Sequence, residues 1–358
     1  MQVLSTTHEL GINGASLAIP EIAARLTTRG DRIDVLVPEE VTGPLQGLIE
    51  SAGGRVIRAA NIKTGYDVAL VNTILNAQMV SSMAPHMPVV WYIHEAEAGF
   101  DWLLKNSEGA AAFQAATHVI LYHPHCRDTV FAPFLRHFPQ HAVSIIPSGA
   151  DIPPPDAPVP RAHEKDGRGI LFVGTPYSRK RPVDLMSAFL AFCDGAPPLR
   201  IVGDSSYLDP DARPLLKRAP DRFQFLGVLD WPALRAEYER ASILSLPSGS
   251  ESMGRVTMEA ALHGCALVLS DLPVHKGVWR DGKSALLHSV GDQPSLGLAL
   301  RRLLDHPEDR IRLAEAARMV ALNYPKEQSL DRVLMVLDRV TRAHQLSQPR
   351  SSAQNGVR

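Results

Sequence analysis

The sequence predicts an α/β protein built from two Rossmann-like halves, and three observations carry that reading. Short apolar runs alternate with amphipathic stretches along nearly the whole chain, the pattern of parallel strands covered by helices on both faces. The 358 residues suffice for two packed cores, at roughly 150 residues per domain. Between the two series of runs, Pro147, Pro153, Pro154, Pro155, Pro158 and Pro160 crowd into a segment with no apolar period, Pro147–Asp166. Such a segment reads as a stiff linker.

Taken in order, Met1–Ser5 is an expected strand, followed by the loop His8–Ser16 and a helix over Leu17–Thr28. That helix places Leu17, Ile22, Ala23 and Leu26 on one face and is closed by Arg29-Gly30. Arg32–Val37, Tyr66–Asn72, Val89–His94, His118–Tyr122 and Val143–Ile146 are the further strands of the first half. After the linker, strands are expected at Gly169–Val173, Leu199–Val202, Phe223–Leu226, Ser242–Leu246 and Ala266–Leu269. Helices are expected at Pro182–Phe192, Trp231–Arg240, Gly254–His263, 295–304, 308–323 and Lys326–His344, with a polar, disordered tail over 345–358. The resulting domains are 1–160 and 161–325, then the helix 326–344 and the tail.

Composition removes several function classes. Lys and Arg total 37 against 38 Asp and Glu, a formal charge of −1, without the basic excess of a nucleic-acid binder. Cys126, Cys193 and Cys265 are odd in number and far apart, so neither a disulfide framework nor a CxxC metal site is on offer. No apolar run approaches the roughly 18 residues of a membrane span. The N-terminus lacks the basic and apolar regions of a signal peptide. A soluble, cytoplasmic protein is expected.

The chemistry concentrates in Pro247–Gly264, where an apolar strand passes through small residues, Ser248-Gly249-Ser250, into a helix that Gly264 ends. Backbone N–H groups of Gly254, Arg255 and Val256 at the helix N-terminus suit a phosphate. Glu259, one to two turns into the helix, has two acceptor oxygens that match paired ribose hydroxyls. Glu251 precedes the helix and faces another part of the same ligand. The bland alternative makes both glutamates solvent-facing charges and Ser250 an N-cap. A second cluster, Gly174-Thr175-Pro176-Tyr177-Ser178-Arg179-Lys180-Arg181-Pro182, sets cations between a strand end and a helix. There they can neutralise a departing diphosphate, or form an ordinary solvated loop.

The Pro247–Gly264 segment resembles the E-x7-E signature of retaining glycosyltransferases of family 4, the glycosyl transferases group 1. The strand ends Ile145–Asp151, Ile170–Gly174, Ile201–Asp204 and Phe225–Gly227 resemble that family's as well. The resemblance implies a GT-B fold, in which two Rossmann-like α/β/α domains face each other across a cleft, with a last helix returning to the N-terminal domain. It implies transfer of a hexose-type sugar from a UDP- or GDP-sugar to an acceptor hydroxyl with retention, in polysaccharide or glycoconjugate biosynthesis. No cofactor and no metal are expected. The acceptor is a sugar or a lipid-linked molecule, the latter implying peripheral contact with the inner membrane face.

In that frame His94, Lys180 and Glu251 are the expected catalytic residues, with His94 touching the transferred sugar. The expected donor-binding set is Gly14, Arg179, Lys180, Glu251, Met253, Gly254, Arg255, Val256 and Glu259. Thr175 stands where the family carries an Arg, and Arg179 is the nearest substitute. The loop Gly11–Ser16 resembles the family's glycine-rich loop, and Gly14 would let the backbone approach the donor. An NAD reading of that loop lacks the third glycine of GxGxxG. Competing readings are a nucleotide-sugar epimerase and a non-catalytic nucleotide-binding scaffold. His123-Pro124-His125-Cys126 reads as a strand-to-helix turn, Asp209-Pro210-Asp211 as a cap, and Phe131, Phe134, Leu135 and Phe138 as core.

Overall fold

The computed structural model describes residues 1–59, 65–106, 108–136, 138–154, 162 and 169–347. The chain forms two compact units, Met1–Pro147 with Ser329–Arg358, and Ser148–Gln328.

The first unit is built on seven parallel strands: β1 (Gln2–Thr6), β2 (Arg32–Leu36), β3 (Arg55–Ile57), β4 (Val68–Asn72), β5 (Val89–Tyr92), β6 (His118–Leu121) and β7 (Val143–Ile145). Their order is β3-β2-β1-β4-β5-β6-β7. Every residue of β4, Val-Ala-Leu-Val-Asn, is buried, as a strand covered on both faces requires. Thr6 stands opposite Val71, Asn72 opposite Tyr92, and Tyr92 opposite Ile120, so the C-terminal ends of β1, β4, β5 and β6 line one edge. The core under this edge is aromatic: Trp91 packs on Phe113 at 4.8 Å between ring centroids, and Phe134 stacks on Phe113 at 5.1 Å. Phe131 and Leu135 are buried there and Phe138 packs against them, so the aromatic stripe belongs to the core.

The second unit has six parallel strands: β8 (Ile170–Val173), β9 (Leu199–Val202), β10 (Phe223–Gly227), β11 (Ile243–Leu246), β12 (Ala266–Ser270) and β13 (Leu286–His288). Their order, β10-β9-β8-β11-β12-β13, is that of a Rossmann sheet. In both units the strand order reverses beside the first strand, between β1 and β4 and between β8 and β11. Doubly wound sheets bind ligands at the C-terminal edge of that switch point.

The structure moves several expected boundaries. The first unit gives way to the second at Pro147, not at residue 160: Ala150 bridges Pro325, and its carbonyl accepts from the Lys326 amide at 2.9 Å. Gly149 is required there, since a Cβ would lie 2.7 Å from Lys326 backbone. The last helix runs Lys326–Ser347, three residues past the expected end. Only its first turn belongs to the second unit; from Ser329 it packs on the first, burying Leu330, Val333, Leu334, Leu337 and Val340. Arg29 pairs with Asp338 at 2.6 Å and Arg332 donates to the Ile145 carbonyl at 2.6 Å. The strands β3 and β13 lie outside the expected set. Most of the proline linker after Pro154, His137, and the tail from residue 348 lie outside the described residues.

Candidate active site

Two strand ends meet at the switch point of the second unit. From β8 the chain passes through Gly174 into the turn Ser178–Lys180, and then into the helix Pro182–Phe192, which has proline in its first turn. From β11 it passes through Pro247–Met253 into the helix Arg255–Leu262. These two loops carry the predicted cations and glutamates, and the fold brings them into direct contact. Lys180 Nζ lies 2.5 Å from Glu251 Oε1, an oxygen that also accepts from Ser248 Oγ at 2.7 Å. Arg179 donates to the Ser250 carbonyl at 2.5 Å, and its guanidinium lies 3.9 Å from the other Glu251 oxygen. Tyr177 holds the Arg179 side chain through its hydroxyl at 2.9 Å. The Gly249 amide donates to the Arg179 carbonyl at 2.8 Å, which ties one loop to the other.

This pair is largely shielded from water, with side-chain exposures of 13% for Lys180 and 7% for Glu251. Burial alone would raise the Glu251 carboxyl, but Lys180, Arg179 and the Ser248 hydroxyl overcome it and hold the group at about 2. Burial draws the Lys180 ammonium below its usual range, and Glu251 opposes that shift. The result is a fixed, ionised pair with a second cation alongside. Arg181, the next residue, has φ 52°, a left-handed conformation, and its guanidinium binds Asp184.

The helix Arg255–Leu262 begins from Gly254 at φ 69°, and no side chain caps it. Gly254, the expected first residue of the helix, is therefore its N-cap, in place of Ser250. A Cβ on Gly254 would crowd His275 Nε2 at 3.3 Å as well as adopt a strained backbone. Met253 is buried beneath the turn. Glu259 is buried too: Oε1 accepts from Arg255 Nε and Oε2 from the Tyr238 hydroxyl, both at 2.9 Å. Each oxygen keeps a lone pair for a further donor. Sequence reasoning missed Tyr238 and Ser248, which fix the two glutamates.

The first unit puts different chemistry at its own switch point. Within the loop after β1, Asn13 Oδ1 accepts from the amides of Ala15 and Ser16 at 3.0 Å, and Ser16 Oγ donates to the Gly11 carbonyl at 2.7 Å. Gly14 is exposed at its tip, with nothing within 4 Å of a Cβ position. His94 is 8% exposed, and both its ring nitrogens are taken: Nε2 lies 2.5 Å from Asn72 Oδ1 and Nδ1 2.6 Å from the Tyr122 hydroxyl. A neutral imidazole has one donor and one acceptor, and in this structure Asn72 and Tyr122 engage both. Burial lowers its pKa to about 3, and the ring is neutral. Asn72 and Tyr122 were missed, although each ends an apolar strand run as His94 does.

The remaining candidates are structural. Asp209 accepts from the Asp211 amide at 3.0 Å as the cap of a short turn. Cys126 opens a π turn, and no group of three metal-ligating side chains occurs among the described residues. Among these residues, no helix is long and apolar enough to cross a membrane.

Residues 156–320, within the second unit, match the family model described as glycosyl transferases group 1. A phosphatidyl-myo-inositol mannosyltransferase of Mycolicibacterium smegmatis is 31% identical over 180 residues, a match spanning 48% of this chain but only 45% of that protein. The protein of the same name from Mycobacterium leprae is 26% identical over 91% of this chain and 93% of its own length. Among solved structures, Anabaena HepE in complex with UDP and glucose superposes with a TM-score of 0.75 at 17% identity, covering 95% of this chain and all of that one, a likeness of fold. The architecture is thus the GT-B fold, and residues 156–320 of the second unit are similar to the glycosyl transferases group 1 family.

Proposed function

We propose that this protein is a retaining glycosyltransferase that moves a hexose-type sugar from a UDP- or GDP-sugar to an acceptor hydroxyl. The observation that carries the reading is the shielded Lys180–Glu251 pair, flanked by Arg179, at the C-terminal edge where β8 and β11 part. The relatives named as mannosyltransferases and the neighbour holding UDP and glucose support the same class of donor.

In this reading a donor diphosphate draws Lys180 from Glu251 and lies against the helix N-terminus at Gly254–Val256. The anomeric carbon–oxygen bond breaks, and its electron pair passes to the distal phosphate. Lys180 and Arg179 are fixed cations where that charge grows, which is where they stabilise most. The acceptor oxygen attacks from the face the phosphate leaves, and its proton passes to the departing phosphate. Glu251, released from Lys180 and still ionised, accepts hydroxyls of the sugar. Glu259, held by Arg255 and Tyr238, accepts those of the ribose. The first unit serves the acceptor. The diphosphate charge is met by side chains and backbone, so neither metal nor cofactor is needed. A lipid-linked acceptor, met at a membrane surface, and a place in polysaccharide or glycoconjugate assembly complete the proposal.

The test is a titration of UDP, GDP and their sugars against thermal stability, since a ligand that binds the folded state raises it. A rise with one nucleotide diphosphate, undiminished by EDTA, is expected. No stabilisation by any of them at millimolar concentration overturns the reading, and sugar epimerised without acceptor reassigns the enzyme.

A further inference from the structure

Four neighbouring strands of the first unit end in one continuous line of polar contacts. Asn72, 2% exposed and the last residue of β4, donates from Nδ2 to the Ala15 carbonyl at 3.3 Å. Its Oδ1 therefore faces His94, and an amide oxygen only accepts, so His94 Nε2 carries the hydrogen in the 2.5 Å contact. The neutral ring then has a bare Nδ1, which accepts from the Tyr122 hydroxyl at 2.6 Å. Every donor points the same way, from Tyr122 after β6, through His94 after β5 and Asn72 on β4, to the loop after β1. That sequence of elements is the order of the sheet itself.

The backbone around this line is clamped. Glu95 Oε2 accepts from the amides of His94 and Ile74, both at 3.0 Å. Thr73, directly after Asn72, has φ 65°, a conformation a β-branched residue adopts only when its surroundings impose it. Here they do: its amide donates to the Tyr92 carbonyl at 2.9 Å, and its own carbonyl accepts from Trp91 Nε1 at 2.8 Å. The Tyr92 ring covers His94 at 4.3 Å between centroids. The contact with Ala15 joins this rigid edge to the loop whose exposed tip is Gly14.

We propose that His94 is a positioning residue, which with Asn72 and Tyr122 forms a one-directional relay of neutral hydrogen bonds that fixes the loop Gly11–Ser16. The low pKa agrees with this, since the ring stays neutral and the relay intact through the physiological range. The relay stands whether or not the transferase reading does; only its consequence for turnover rests on that reading.

The test reads the loop and the ring directly, in the full-length protein without ligand. Ring-nitrogen NMR of the parent is expected to give the Nε2–H tautomer, with no titration between pH 5 and 8. The Nδ1–H tautomer, or an ordinary titration near 6.5, overturns the proposal without any variant. In hydrogen exchange, His94→Asn, whose amide ends near the Nδ1 position, is expected to speed exchange in residues 9–16 about tenfold, the loss of one buried hydrogen bond. His94→Gln, whose amide nitrogen reaches the Nε2 position, restores protection. Tyr122→Phe removes the donor to Nδ1 but leaves Nε2–H held by Asn72 Oδ1, so the Nε2–H tautomer is expected to persist, and a switch to Nδ1–H overturns the stated direction of the relay. Exchange in β4 and β5 serves as the folding control. Equal loop exchange in His94→Asn and His94→Gln, with that control unchanged, sinks the relay. Loss of thermal stabilisation by UDP or GDP with the loop results intact would instead sink only the donor assignment.

Discussion

The two switch points occupy the same place in two sheets of the same topology and are furnished oppositely. The second unit brings an ammonium and a guanidinium within 4 Å of one carboxylate and shields the ammonium–carboxylate pair from water. The first brings an imidazole, an amide and a phenol into line, all neutral. A shielded charge pair is costly to build and is most useful against another charge. A line of neutral donors and acceptors costs less and holds geometry. The difference teaches that one topology supplies the location, while the polarity of the strand ends decides what chemistry each unit offers there.

The comparison breaks most severely at Lys180. Lys180→Ala leaves Glu251 ionised, shielded and without its nearest partner, so it should lower turnover by 100- to 1,000-fold, on the order of 2–4 kcal/mol. The melting temperature should fall as well, since the stranded carboxylate is an uncompensated charge. A fully active, equally stable variant would remove the charged site from the account. Arg179→Ala comes next: its hydrogen bond to the Ser250 carbonyl is charge-assisted, and its loss should cost about tenfold in turnover. An unchanged rate would show that nothing has replaced the cation absent at Thr175.

Acid separates the two edges by their windows. His94 sits at about 3 against an ordinary 6.5, so the unfolded chain takes up the proton first, and stability is lost as pH falls from 6.5 towards 3. Glu251 sits at about 2 against 4.5; its contribution is present above 4.5 and is lost as pH falls from there towards 2. Burial lowers His118, His123, His275 and His288 as well. Melting curves against pH should therefore become shallower between 6.5 and 4.5 in His94→Gln without going flat, and keep the parental slope there in Glu251→Gln. The reverse pattern would exchange the roles given to the two edges. The smallest effect belongs to Tyr238→Phe, which removes one of the two donors to Glu259 and should weaken nucleotide affinity a few-fold, read by calorimetric titration with UDP or GDP.

What the sequence made legible follows from the range of each signal. Buried runs such as Ile243–Leu246 and Ala266–Ser270 announce themselves over a few neighbouring residues. So does the small-residue passage into the helix at Arg255. The Lys180–Glu251 contact joins residues 71 apart, and no local pattern encodes it. Backbone strain was hidden because Thr73 and Arg181 take left-handed conformations without the glycine that normally signals them. The relay did leave a trace, since the apolar runs at 68–72, 89–94 and 118–122 each finish on a polar side chain, Asn72, His94 and Tyr122. Reading those ends together required the strand order, which pattern alone does not give.

The final helix has a consequence for how the molecule is made. Its buried face, from Leu330 to Val340, completes a domain whose first strand is Gln2–Thr6, and the whole second unit lies between them in the chain. On the ribosome the earlier domain therefore waits, its apolar flank uncovered, while about 180 residues of another fold are translated, several seconds or more at 5–20 residues per second. The later domain can close first, and the earlier one only after the helix Lys326–Ser347 has been made. Order of synthesis and order of completion are thus inverted, and the exposed flank during that interval is where a chaperone would find its purchase.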